Sequence, residues 1–317
     1  MKRAYLYPTL LTLFFIAWSS AFATQFSVTD AVHNWGTSLT MVLGSFVAGA
    51  TPLGGGAVAF PVFTKLFGFE AHSAKVFSLA IQSVGMTFAT IFFVSRGVRI
   101  YWSLLARLMP FALLGLACGF SLTVDGEPLK ITFSFLLLAC SYLLMQRCDT
   151  RLLQWRNSWS LYLIATLGGL LSAYIGAGAD TLLFFYLVLR QKFDAKALIP
   201  TTVCFMAILS VTGSVLLILQ GQLNGAHVAF EPWFFAAPVV AIGAPLGGYV
   251  MSKINEKYVL RFIYALIFVE VCSTVVILQF SLALKVLLVA ATLAVVVLAL
   301  RQRGGILPER WVKAKGA

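Results

Sequence analysis

Two short runs, Thr51-Pro52-Leu53-Gly54-Gly55-Gly56 and Ile175-Gly176-Ala177-Gly178-Ala179-Asp180, break apolar stretches at residues 38–67 and 159–190. A helix that restarts after such a break presents unpaired N–H groups and the positive end of its dipole, and both favour an anion. At Gly54, Gly55, Gly56, Gly176 and Gly178 the backbone can approach a ligand closely, because glycine has no side chain to intervene. Thr51 adds a hydroxyl, and Ser78, Gln82 and Thr202, on the segments after the breaks, are further candidates for substrate binding. Asp180 is of the opposite kind. A carboxylate at an anion site repels its ligand unless protonated, and removal from water favours the neutral acid. Asp180 therefore reads as the carrier of a coupling proton or as an N-cap for the helix beginning at Thr181, two compatible roles. Glu270, in the middle of Phe262–Leu278, is the second proton-coupling candidate. Glycines in apolar helices also serve close packing, which is the stronger reading for Gly115, Gly119, Gly243 and Gly247.

The elements that must hold these residues are membrane helices. Hydrophobic residues make up 60% of the 317, charged residues 11%, and mean hydropathy is +0.93. Soluble domains carry about 25% charged residues, so a soluble globular protein is excluded. Apolar runs fall at 38–67, 74–94, 103–122, 129–146, 159–190, 197–219, 231–252, 258–279 and 282–300. The net charge of +12 is scattered in short clusters between them, as orientation signals are, with no basic stripe for nucleic acid. Cys118, Cys140, Cys148, Cys204 and Cys272 lack any CxxC spacing and read as buried packing residues. His33, His72 and His227 fall in loops far apart and call for no metal. Residues 1–23 read as a membrane helix or as a signal peptide, since Lys2-Arg3 precede an apolar run ending Ala21-Phe22-Ala23; retention is the favoured reading.

The two halves repeat. Gly44–Ser78 laid over Gly168–Thr202 without a gap superposes Gly44 on Gly168, Gly54 on Gly178 and Phe60 on Phe184, and Phe69-Glu70-Ala71 on Phe193-Asp194-Ala195. After a small shift, Pro110, Gly115 and Gly119 match Pro238, Gly243 and Gly247. If each broken segment crossed the membrane once, Arg96, Arg99, Arg107, Arg147, Arg151 and Arg156 would lie outside, against the positive-inside rule. If each is a re-entrant hairpin, all six lie inside with Arg190, Lys192, Lys196, Lys253, Lys257 and Arg261. The expected fold is an all-α polytopic membrane protein. It is an inverted repeat of helices in which each half opens with a glycine-broken re-entrant hairpin. The first repeat is placed at 38–146, the second at 159–279, a C-terminal transmembrane helix at 282–300, and a basic cytoplasmic tail at 301–317. The location implied is the inner membrane, crossed several times.

The stretch Gly44–Phe60 (GSFVAGATPLGGGAVAF), with Pro61 and the following Ala71–Ser83, resembles the sulfite exporter TauE/SafE family of membrane transporters. Members of that family carry a related glycine motif in each half, and the resemblance covers nearly the whole chain after residue 38. It implies export or import of a small anion such as sulfite, sulfoacetate or a related organosulfonate or small carboxylate. This sequence departs from the second motif, with Gly178-Ala179-Asp180 where a glycine triplet is expected. The leading function is secondary transport by alternating access, with a small anionic substrate, the lipid bilayer and coupling protons as partners, and no cofactor. An anion channel is the alternative. An intramembrane enzyme is disfavoured, because the sequence has no H-E-x-x-H, no G-x-S-x-G and no nucleotide-binding loop.

Overall fold

The computed structural model describes residues 2–54, 63, 70–121, 135, 138, 158–191, 193–225, 227–277 and 281–301, and every element among them is helical. In chain order these are α1 (Leu6–Gln25), α2 (Val28–His33), α3 (Trp35–Ala50), α4 (Ala71–Ser95), α5 (Trp102–Ser121) and α6 (Trp159–Ile175). There follow α7 (Ala179–Leu189), α8 (Ala195–Leu219), α9 (Phe230–Lys253), α10 (Glu256–Ile277) and α11 (Leu282–Arg301). Five of them, α1, α4, α5, α8 and α9, are long and apolar enough to cross a membrane. The expected span at 129–146 lies outside the described residues apart from Phe135 and Leu138.

Both apolar stretches break where the glycines fall. In the second, α6 stops at Ile175 and α7 starts at Ala179. The hydroxyls of Ser160, at the start of α6, and Tyr186, near the end of α7, are hydrogen-bonded at 2.6 Å, so the two helices form a hairpin. In the first, α3 stops at Ala50 and a turn occupies 51–54. Gly55 and Gly56 lie outside the described residues.

Contacts among helix ends and the loops beside them define two ends of the bundle. At one end Asn34 Nδ2 donates to Glu231 Oε1 at 2.7 Å, and the His72 and His227 rings lie 6.4 Å apart. These histidines, far apart in the chain, are therefore neighbours. At the other end the Tyr101 N–H donates to Thr201 Oγ1 at 3.1 Å and Lys196 Nζ donates to Ile254 O at 2.7 Å. Asn34 precedes α3, and His72 is in the first turn of α4. The chain from 35 to 70 thus begins and finishes at the same end.

The helices pair in an exchanged pattern: α3 with α9, α5 with α6, and α4 with α8 between them. Along α3 and α9, Ser38 bonds Phe235 O and Gly247 faces the Phe46 carbonyl, so the two run parallel from the first end. Along α5 and α6, Phe111 meets Tyr162 and Gly119 faces the Leu170 carbonyl 3.2 Å from where its Cβ would stand. Those two run parallel from the other end. Small residues make such approaches possible, since lipid supplies no hydrophobic drive between helices and contact itself must hold them. A Cβ at Gly169 would run into the Ala112 carbonyl, at Gly115 into that of Thr166, and at Gly49 into that of Ala244. Gly115, Gly119, Gly243 and Gly247 all lie in these seams. Cys118, expected in the packing, is exposed on α5, whereas Cys204 is buried on α8.

The seam is testable by comparing two glycines. Gly225 has open space around it. Gly169→Ala must push α5 and α6 apart, at a cost of about 1–3 kcal/mol for overpacking, whereas Gly225→Ala should be near neutral. Thermal unfolding of the detergent-solubilised variants should show a lowered midpoint for the first only.

Candidate functional site

The two breaks meet inside the bundle. Thr181 Oγ1, in the first turn of α7, donates to the Pro52 carbonyl at 2.7 Å across 129 residues of sequence. Thr51, Ser78, Gln82, Asp180, Thr181, Thr201 and Thr202 are all at most 2% exposed. A buried polar group must find a partner or carry a penalty of about 1–3 kcal/mol, so the partners chosen here are informative.

Helix α6 ends on Gly176 in the left-handed region, φ 80°. That conformation and the crowding around it both require glycine: a Cβ would sit 2.8 Å from the Lys75 carbonyl and 2.9 Å from Ser78 Cβ. The Gly176 carbonyl turns to α4. Ser78 Oγ donates to it at 3.0 Å and Gln82 Nε2 at 2.7 Å. Gln82 Nε2 also reaches Ser78 Oγ at 2.9 Å and Ser78 O at 3.1 Å. This fixes the orientation of the amide, because turning it over would set its oxygen against three other oxygens.

The fixed amide points Gln82 Oε1 at the first break. Gly54, φ 66°, is the residue it faces. The position a Gly54 Cβ would take is 3.1 Å from Gln82 Oε1 and 3.5 Å from Asp180 Oδ2. Neither oxygen has a hydrogen-bond partner among the described residues. Asp180 is in the first turn of α7, after Gly178 as N-cap at φ 107°. Its Oδ1 accepts the Thr181 N–H at 2.9 Å, so one carboxylate oxygen serves the helix start and the other is left over. The site thus sets two fully buried acceptors beside one glycine.

The remaining sequence candidates fall as follows. Thr51 Oγ1 donates to Val47 O at 2.9 Å and accepts the Leu53 N–H at 3.3 Å, which closes the first break locally. Thr202 Oγ1 turns back onto its own helix, to Ile199 O at 3.1 Å, and is not joined to the cluster. In the register read from the sequence, Pro52 falls on Gly176 and Thr202 on Ser78. The Pro52 carbonyl, which Thr202 would serve by analogy, accepts instead from the Thr181 hydroxyl. Glu270 falls within α10, and its side chain lies outside the described residues. Sequence reasoning passed over Thr181 and Pro52 as site groups. Their signal was the Asp-Thr pair directly after the second tip and the helix-breaking proline in the first.

The amide of Gln82 can be tested by a single atom. Gln82→Glu replaces a donor with an oxygen facing the Gly176 and Ser78 oxygens and puts a second carboxyl beside Asp180. It should destabilise the protein more than Gln82→Met, which only removes the bonds. Ser78→Ala, with the Gln82 bond to Gly176 intact, should cost about 1 kcal/mol. Thermal midpoints at neutral pH give the order.

No curated protein and no solved structure matches the chain. Residues 37–275 match the family described as Sulfite exporter TauE/SafE, a range that takes in both breaks and every residue of the cluster. The match spans most of the chain and agrees with helices long and apolar enough to cross a bilayer several times. The chain belongs to the TauE/SafE sulfite exporter family of membrane transporters.

Proposed function

We propose that this protein is a secondary transporter of a small anion, working by alternating access between two inverted halves, with a proton on Asp180 as the coupling ion. The observation that carries the reading is the meeting of the two breaks around two buried oxygens, Gln82 Oε1 and Asp180 Oδ2, that have no hydrogen-bond partner among the described residues. Broken helices that meet deep in a bundle are the usual architecture of transporter binding sites.

Several features support inversion. The Gly119–Leu170 and Gly247–Phe46 contacts are equivalents of each other in the repeat register. The α3 segment starts from one end of the bundle, and the α6–α7 hairpin starts from the other. The end carrying Arg96, Arg99, Arg190, Lys196 and Lys253 is then cytoplasmic by the positive-inside rule, as is the C-terminus after α11. Both breaks are re-entrant on this reading.

The substrate is sulfite, sulfoacetate, a related organosulfonate or a small carboxylate. Its anionic group docks on the backbone of the first break at Gly54, Gly55 and Gly56, with the Gly176–Gly178 turn opposite. Deprotonated, Asp180 repels this ligand. Protonated, Oδ2 becomes a donor aimed at the space it shares with Gln82 Oε1, and the repulsion disappears. Anion and proton therefore load together, and either gradient can drive the other. Loading a proton with the anion leaves the net charge of the site as it was before loading, and the anion's own charge is met by the backbone N–H groups and the positive dipole end at the glycine tip.

Two experiments bear on this. With Glu70→Cys and Arg190→Cys introduced separately into a cysteine-free background, an impermeant thiol reagent should label them from opposite faces of the membrane; labelling from one face would remove the inverted arrangement. In proteoliposomes, an imposed pH difference should accelerate uptake of labelled sulfite by the wild type but not by Asp180→Asn. The asparagine variant should still bind, because it imitates the neutral acid. Equal acceleration of both would take Asp180 out of the coupling and leave Glu270, and unitary currents in place of saturable flux would indicate a channel.

A further inference from the structure

Helix α9 contains two internal prolines, Pro238 and Pro245. A proline has no N–H, so the carbonyl four residues earlier in a helix loses its partner. Here those carbonyls belong to Phe234 and Ala241. In a bilayer no water replaces the missing donor, and an unmet carbonyl is costly. Both are met by one other helix. Trp18 Nε1 of α1 donates to Phe234 O at 2.9 Å, and the Tyr7 hydroxyl donates to Ala241 O at 3.2 Å.

The rest of α1 is arranged to deliver these two donors. Tyr7, Phe14, Trp18 and Phe22 lie on the stripe of the helix that is half-covered, whereas Leu13 and Ile16 on the opposite side are exposed and suited to lipid. Trp18 stacks on Phe234, with centroids 5.5 Å apart and planes at 21°. On the other side of the groove Phe14 and Tyr7 meet Phe88 of α4 edge-on, at 5.1 and 6.4 Å. Helix α1 therefore lies antiparallel to α9, in the groove between α9 and α4.

We propose that α1 is kept in the mature protein as a clamp that supplies the two donors removed from α9 by Pro238 and Pro245. Trp18 and Tyr7 are positioning residues. They hold a twice-interrupted helix in one shape, and that helix packs on α3, which leads into Thr51, and on α4, which carries Ser78 and Gln82. Cleavage after Ala23 would strip both carbonyls of their donors. The inference does not depend on the substrate or on proton coupling.

The test is a pair of double-mutant cycles. Trp18→Phe keeps a ring against Phe234 but loses the donor, and should lower the thermal midpoint by about 2–4 °C. Pro238→Ala returns an N–H to α9, so in that background Trp18→Phe should cost clearly less. Tyr7→Phe should behave in the same way with Pro245→Ala. Equal costs in both backgrounds would mean that only packing is involved and would overturn the clamp. Intact mass spectrometry of the protein purified from membranes is independent of any variant. A chain that includes residues 1–23 is expected, and one beginning at Thr24 would overturn the proposal.

Discussion

A peptide carbonyl freed from a helix inside a bilayer has no water to turn to and must be met by the protein itself. The carbonyls of Pro52, Gly176, Phe234 and Ala241 are each in this position, two at glycine breaks and two upstream of prolines. Their donors come from other parts of the chain: Thr181, Ser78 with Gln82, Trp18 and Tyr7. Each bond also fixes one helix against another. The interruptions that weaken individual helices thus determine where those helices pack. Because the bonds at Pro52 and Gly176 draw both breaks to one place, the same requirement sets Asp180 and Gln82 together beside Gly54.

The cluster is not symmetric, and the asymmetry matters for the proposed mechanism. In the repeat register Asp180 falls on Gly56 and Gln82 on Met206. One tip carries a carboxylate, tied by Oδ1 to its own helix start, where the other carries glycine. A helix start that already has an anion of its own is a poor place for a second one. On the proposed reading the transported anion therefore belongs to the glycine tip and the proton to the aspartate tip, and two halves of similar design divide the two ligands between them.

Much of this organisation is legible in the sequence because its signals are local. The breaks at Gly54 and Gly176–Gly178 and the helical character of the described chain follow from glycine, proline and apolar run length, which act over a few residues. The expected N-cap at Asp180 does not hold, because left-handed Gly178 caps a helix that starts at Ala179 and Asp180 bonds the Thr181 N–H from within its first turn. Ser78 and Gln82 could be placed near a break, but their shared acceptor, the Gly176 carbonyl, is 94 or more residues away and nothing local marks it. Thr202 shows how the repeat alone can mislead about a partner: the hydroxyl opposite Pro52 comes from Thr181, one residue beyond the aspartate. The pairing of His72 with His227 and of α1 with the prolines of α9 depends on tertiary contacts between distant segments. Such contacts have no period or motif to read. Proline spacing in α9 does predict two orphaned carbonyls, but not which helix answers them.

The central claim is that both breaks come together at one enclosed point, with Thr181 against Pro52. Cross-linking tests it most directly. Cysteines placed at Pro52 and Thr181 in a background without native cysteines should form a disulfide rapidly under mild oxidation in the membrane and should stop transport until reduced. A pair that stays reduced under conditions that oxidise an accessible control pair would mean that the breaks do not meet, and would contradict the account.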